Sequence, residues 1–210
     1  MKKQLCNIAQ GTLDIQILED IVAGDYTAQQ ASNLIKFAEK EKILHKLHQL
    51  YAAFEKEKEV RIVQHLLTDP KLNWRTLYPL PEKYTPMVTE EIKKLNLSEK
   101  DHLAITGSGS FPATAISFSD RTAAKITCIE KVPRYADLCK KVLRKLGYDQ
   151  KINVICGKAE EVSYADYTAI LLTMLTQNKA MVLQKIADTN MSNCKTVVRR
   201  AQGIIRLIYP

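Results

Sequence analysis

The stretch Leu103–Ser119, LAITGSGSFPATAISFS, decides how the chain folds. Four mostly apolar residues run into Gly107-Ser108-Gly109 and then into an amphipathic segment. This pattern predicts a buried strand, a tight glycine turn and a helix N-terminus, which together offer backbone N–H groups to a nucleotide ligand. Downstream, Ile126–Ile129 (ITCI) reads as a second short buried strand and leads into Glu130, about 20 residues after Gly107. An acidic side chain at that place accepts hydrogen bonds from both hydroxyls of a ribose. Gly107, Ser108, Gly109 and Glu130 are therefore candidate ligand-binding residues of a Rossmann-like site.

The third glycine of a dinucleotide fingerprint is absent, and Thr114 stands near its place. A pyrophosphate needs close backbone approach there, so an adenosine-type ligand without pyrophosphate, such as S-adenosylmethionine, fits better than NAD. A glycine turn in a helix-flanked sheet that holds no ligand is the plain alternative.

After the turn, strand and helix alternate. ITCI is followed by a helix over Pro133–Leu146 with Gly147 as its C-cap, a strand over Ile152–Cys156, a loop GKAEEVSYAD, and a strand over Thr168–Met174. A helix over Lys179–Ala187 and a strand over Thr196–Arg199 complete the series. Such alternation implies right-handed crossovers and a parallel sheet, with ligands at the carboxyl ends of the strands. The residues at those ends are Gly107–Gly109, Glu130, Lys158, Ala159 and Glu160, Thr173–Leu175 and Arg199–Gly203.

With 210 residues, 46% of them hydrophobic, the chain can bury one good core or a modest core with a helical cap. The net charge of +8 would suit an acidic partner, but the basic residues alternate with glutamates in EKEKILHK and EKEKEV. That is a solvated helix face, so nucleic acid is disfavoured as a partner. Cys6, Cys128, Cys139, Cys156 and Cys194 are odd in number, widely spaced and without a CxxC pair. Reduced thiols in a cytosol, mostly as small core residues, account for them, and a cytoplasmic protein without zinc is expected. The start, MKKQLCNIAQ, carries no long apolar region, and no stretch approaches a membrane span.

The N-terminal part reads as helical. Apolar residues from Leu13 to Ala23 fall at helical spacing, Thr27 suits an N-cap, and Ala28–Leu67 predicts one or two amphipathic helices ending before Asp69-Pro70. His45, His48 and His65 lack the spacing and third donor of a metal set. Asn73–Tyr84, NWRTLYPLPEKY, concentrates the single Trp with prolines and predicts a packed connector, after which Thr89–Leu95 forms a helix. The expected division is a helical domain with its linker over 1–97 and a Rossmann-like domain over 98–210.

Several of these motifs together resemble one family, the nicotianamine synthases and the related aminobutyryl transferases that build opine-type metallophores. GSGSFPATAI resembles that family's GSGPLPLTSI, with Gly107, Ser108, Gly109, Pro112, Thr114 and Ile116 kept. IEKVP resembles DIDP, with Glu130 for the first aspartate and Pro133 matching. VVRRAQGIIRLIYP resembles VVRSAHGARAFLYP through Val197, Val198, Arg199, Ala201, Gly203, Arg206, Leu207, Tyr209 and Pro210. EVRIVQHLL has the glutamate-to-histidine spacing of EGLLEAHF, which places Glu59 and His65, and KYTPMVTEE is a weak counterpart of YYENYVRLVELE.

The resemblance implies a Rossmann-like class I S-adenosylmethionine-dependent transferase sheet behind an N-terminal helical domain. It implies transfer of the 3-amino-3-carboxypropyl group of S-adenosylmethionine to the amino group of a small-molecule amine or amino-acid acceptor, with methylthioadenosine leaving. Glu59 becomes the candidate base and Tyr84 its phenolic neighbour. Arg199 or Arg206 would clamp the methionyl carboxylate. A solvated Glu59 and a packed Tyr84 are the structural alternatives. The sequence also departs from the family: Val132 replaces the second aspartate of DIDP, Gln202 stands for the histidine of SAHG, and the family continues beyond YP. A shortened sheet would leave an open edge after Thr196, which a second copy in a homodimer would cover. A methyltransferase of the same fold and a non-catalytic interaction module are the competing readings. LTMLTQ lacks the Asn-Pro-Pro-aromatic signature of amino-group methylation and weighs against the first.

Overall fold

In the computed structural model the backbone is described for residues 1–69, 71–77, 80–190 and 194–210, and the side chains for all of these except 76–77 and 80–84. Its helices are α1 (Lys2–Gln10), α2 (Gln16–Ala23), α3 (Ala28–Lys40), α4 (Leu44–Thr68), α5 (Trp74–Leu77), α6 (Leu80–Leu95), α7 (Ala113–Ser119), α8 (Pro133–Leu146) and α9 (Lys179–Thr189). Its strands are β1 (His102–Thr106), β2 (Lys125–Glu130), β3 (Ile152–Cys156), β4 (Ala169–Leu172) and β5 (Lys195–Val198), and a 3-10 turn spans Gly203–Leu207.

The five strands form one parallel sheet in the order β3-β2-β1-β4-β5. This is the α/β sheet expected from the alternation of apolar runs with amphipathic segments. The central strands are buried on both faces, so Leu103, Ala104, Ile105, Ile126, Ile129 and Ala169–Leu172 are all apolar, as a helix-covered parallel sheet requires. Helix α8 starts with Pro133, whose missing N–H is harmless in the first turn, and stops at Gly147 in the left-handed region, where its N–H closes onto the carbonyls of Leu143 and Arg144. Cys128 and Cys139 are fully buried in this core, and the Cys128 thiol together with burial pushes Cys139 well above its ordinary pKa. They are inert core residues, as the composition suggested.

Two compact units divide the chain: Met1–Glu57 with Arg200–Pro210, and Lys58–Arg199. The expected boundary at 97/98 lies inside the second of these. The reason is packing: Val63, Leu66, Trp74, Val88 and Leu95, from α4, α5 and α6, share the hydrophobic cluster of Leu103, Ile105 and Phe118. The first unit has its own cluster, in which Leu5, Ile8, Leu18, Ile35 and Leu47 pack with Leu207 and Ile208 from the C-terminal segment. Thr27 caps α3 as predicted, in a capping box with Gln30.

Asn73–Tyr84 is also more regular than its prolines predict, because α5 and the first turn of α6 lie within it. Pro81 falls in the first turn of α6, where no intrahelical N–H bond is lost. Pro86 does interrupt the helix interior, at a cost of about 3 kcal/mol, which the burial of Val88 and Leu95 offsets. Helix α1 and the 3-10 turn had no clear signal in the sequence pattern. Among the described residues no helix is long and apolar enough to cross a membrane.

The assignment of the end of α4 to the sheet's core can be measured. Leu66 is 1% exposed, so Leu66→Ala is expected to destabilise this unit by about 2–5 kcal/mol. Trp74, the single tryptophan, lies in the same cluster and reports the loss in urea unfolding followed by fluorescence.

Candidate functional site

The site grows from the carboxyl end of β1. Gly107 and Gly109 both take φ +69, the left-handed region that excludes most side chains. A Cβ on Gly107 would also stand 3.0 Å from the Thr173 hydroxyl, and one on Gly109 would run into the Glu59 carboxylate. The turn is thus both sharply bent and closely approached from two sides.

Its backbone N–H groups are not left open. Gly107 donates to the Ile129 carbonyl at 2.8 Å, and Ser108 reaches the same carbonyl at 3.5 Å. Gly109 donates to Glu130 Oε2 at 3.0 Å, and Ser110 donates to Glu59 Oε2 at 3.2 Å. The predicted cradle of free amides is therefore corrected. The amides are spent on a carbonyl and two carboxylates, and two acids therefore line the turn. With these amides engaged, the turn offers no open cradle to a phosphate.

Glu130 is 6% exposed at the end of β2. Its other oxygen accepts the Val132 N–H at 2.9 Å, so one carboxylate links the β1–α7 turn to the β2–α8 turn. Two of its roughly four acceptor positions remain for hydroxyl donors. Glu59 lies on α4 within EKEKEV, yet it is half-buried and also meets the Ser110 hydroxyl at 3.4 Å. The solvated alternative for Glu59 does not hold.

Beneath the turn, buried hydroxyls interlock. Thr106 Oγ1 lies 2.7 Å from Thr176 Oγ1, and the Thr173 hydroxyl donates to the Thr106 carbonyl at 2.8 Å. Thr173 therefore supports the turn from β4's end and has its hydroxyl committed there. Lys158 is exposed and paired with Glu161 at 2.7 Å. The Ala159 carbonyl accepts the hydroxyl of fully buried Tyr164 at 2.9 Å, which pins the loop after β3. On the same rim, a hydrogen bond from its own backbone N–H and the Asn178 amide hold the Glu160 carboxyl below its ordinary pKa, against some desolvation.

Arg199 falls just past β5, which ends at Val198 where the predicted strand includes it, and its guanidinium is not open to a ligand carboxylate. Nε and one terminal nitrogen donate to the two oxygens of Glu91 at 2.7 and 2.8 Å, and the other donates to Thr114 Oγ1 at 3.1 Å. Arg206 belongs to the other compact unit and pairs with Glu39 at 3.2 Å. Neither arginine is placed here as the expected clamp. The side chain of Tyr84 lies outside the described residues.

Glu91, Ser110 and Thr176 were not among the predicted site residues. Glu91 did leave a signal: Val88, Glu91, Ile92 and Leu95 form one helical stripe, and an acid on an apolar stripe needs a buried partner. The two hydroxyls carried no comparable mark.

No family model matches the chain. It is 21% identical over 121 residues to the L-histidine 2-aminobutanoyltransferase of Yersinia pestis, a match that spans 58% of this chain and 45% of that protein. The matched part is thus less than half the length of that curated relative. Among solved structures, the chain is similar to a mutant of MtNAS in complex with S-adenosylmethionine, at 19% identity and a TM-score of 0.82 over 99% of this chain and 85% of that one. It is also similar to MtNAS in complex with MTA and tNA, at 19% identity and a TM-score of 0.84 over 99% and 84% of the two chains. These likenesses show the fold, and they agree with the resemblance read from the motifs.

The turn's tightness predicts a separable effect. Gly109→Ala and Gly147→Ala should each lose about 1–2 kcal/mol of stability in urea unfolding, since both glycines have positive φ. Only Gly109→Ala should also speed hydrogen exchange at the Ser110 amide, because only there does the new methyl displace the carboxylate that this amide holds.

Proposed function

We propose that this chain transfers the 3-amino-3-carboxypropyl group of S-adenosylmethionine to an amino group. The product would be a nicotianamine-like or opine-type metallophore or its precursor, with methylthioadenosine released. The observation that carries the reading is the pair of carboxylates bound to one glycine turn, Glu130 on Gly109 and Glu59 on Ser110. A sulfonium and an ammonium are both cations, and a turn whose amides are already spent on carboxylates suits them where it offers a nucleotide phosphate no open cradle. The aminobutanoyltransferase relative and the MtNAS complexes support the same chemistry.

In this reading Glu130 takes the ribose hydroxyls with its remaining lone pairs, and the bend at Gly107–Gly109 shapes the end of β1 beside which the adenosyl group lies. Ala159 belongs to the loop packed beside it, and Thr173 shapes the turn from below. Lys158 keeps its ion pair with Glu161 on the surface and contributes at most to the rim. The acceptor nitrogen attacks the γ-carbon in an SN2 displacement. The carbon–sulfur bond breaks with its electron pair going to sulfur, which leaves as a neutral thioether, and the new carbon–nitrogen bond leaves the nitrogen positive. Glu59 accepts the proton that frees the amine lone pair, with Tyr84 as the phenolic neighbour. The hydrogen bonds from Ser110 orient that carboxylate.

Incubation with S-adenosylmethionine and an amino-acid acceptor such as histidine tests the reaction, with product analysis by mass spectrometry. Methylthioadenosine is expected, and S-adenosylhomocysteine in its place would move the protein to the methyltransferases. Glu59→Gln should lower the transfer rate by about 10²–10⁴-fold while calorimetry still detects S-adenosylmethionine binding, and an unchanged rate would remove Glu59 from the chemistry.

A further inference from the structure

The Glu91–Arg199 pair is not accounted for by stability. Its side chains are only 7% and 6% exposed, and ion pairs so buried are often matched or bettered by apolar residues of similar volume. What distinguishes it is what it joins. One guanidinium receives α6 through Glu91 and, with its remaining terminal nitrogen, grips Thr114 at 3.1 Å, the second residue of α7. Thr114 lies shortly after Ser110, whose N–H and hydroxyl hold Glu59, and after Gly109, whose N–H holds Glu130.

We propose that Arg199, oriented by Glu91, is a positioning residue that fixes the first turn of α7 through Thr114 and thereby aims the Gly109 and Ser110 amides at Glu130 and Glu59. The bidentate Glu91 contact sets the plane of the guanidinium, so the third donor has one direction. The Pro112 N-cap carries no side-chain cap for α7, which leaves the start of this short helix to be located from outside. The positioning itself stands on this geometry, and its consequence for group transfer rests on the function proposed above.

Thr114→Val removes the hydroxyl and keeps the ion pair, so the fold is retained. The readouts are the melting temperature, amide hydrogen exchange at Gly109 and Ser110, and methylthioadenosine release. The melting temperature is expected to fall modestly, because one buried guanidinium N–H loses its acceptor, while both amides exchange about fivefold faster or more. Turnover is expected to fall by about tenfold to a hundredfold, and Thr114→Ser should restore both. The double variant E91M/R199M, which replaces the pair by apolar side chains, should reproduce the loss of protection in a folded protein. Wild-type exchange at both amides in Thr114→Val, or in a folded E91M/R199M, overturns the proposal. If the unaltered protein releases no methylthioadenosine, the proposed reaction fails, and the exchange rates still decide the positioning.

Discussion

The structure around β1 depends on one constraint: the amides of a glycine turn must be satisfied inside the protein. Buried N–H groups cannot be left without acceptors, and the chain supplies a carbonyl from β2 and one carboxylate each from β2 and α4. Positive φ at Gly107 and Gly109 makes the turn tight enough for Glu59 to close over Gly109. Everything else at this end of the sheet serves that arrangement. The threonine cluster fills the space under Gly107, and Arg199 holds the helix that leaves the turn.

A consequence follows for electrostatics. A glycine-rich turn before a helix is usually read as an anion site, because its amides face outward. Here the same turn has its amides engaged by two carboxylates and a carbonyl, so it is not an open anion site. The chain as a whole is basic, with a net charge of +8, yet the lysines and arginines of α8 lie on its outer face and its buried stripe is Ala136, Cys139, Val142 and Leu143. Net charge therefore says little about the ligand, and the local pairing of two acids with one turn says much more.

The parallel sheet was legible because each strand is a short apolar run bounded by a turn signal, and because both faces of the sheet are buried. Ile152–Cys156 was read with the bounds it has, and Pro133 and Gly147 mark both ends of α8. Asn73–Tyr84 holds more helix than its prolines predict, because the cost of a proline depends on where in a helical turn it falls. The expected division at 97/98 follows the change from helical periodicity to the first strand. It missed that α4, α5 and α6 lend their apolar residues to the sheet's core.

The sequence by itself determined the local geometry: which runs are strands, where the chain bends at Gly107-Ser108-Gly109, and that an acid stands at the end of β2. These are short-range properties, set by side-chain period, by φ and by the absence of a Cβ. Only the tertiary structure decided which groups face the turn. Glu59 meets Ser110 across 51 residues and Arg199 meets Glu91 across 108, and in a row of alternating lysines and glutamates nothing local distinguishes the one that is drawn inward. The glycine turn was therefore visible from the start as a place for a ligand. That two acids, one of them from α4, engage its amides became visible only when the chain closed over it.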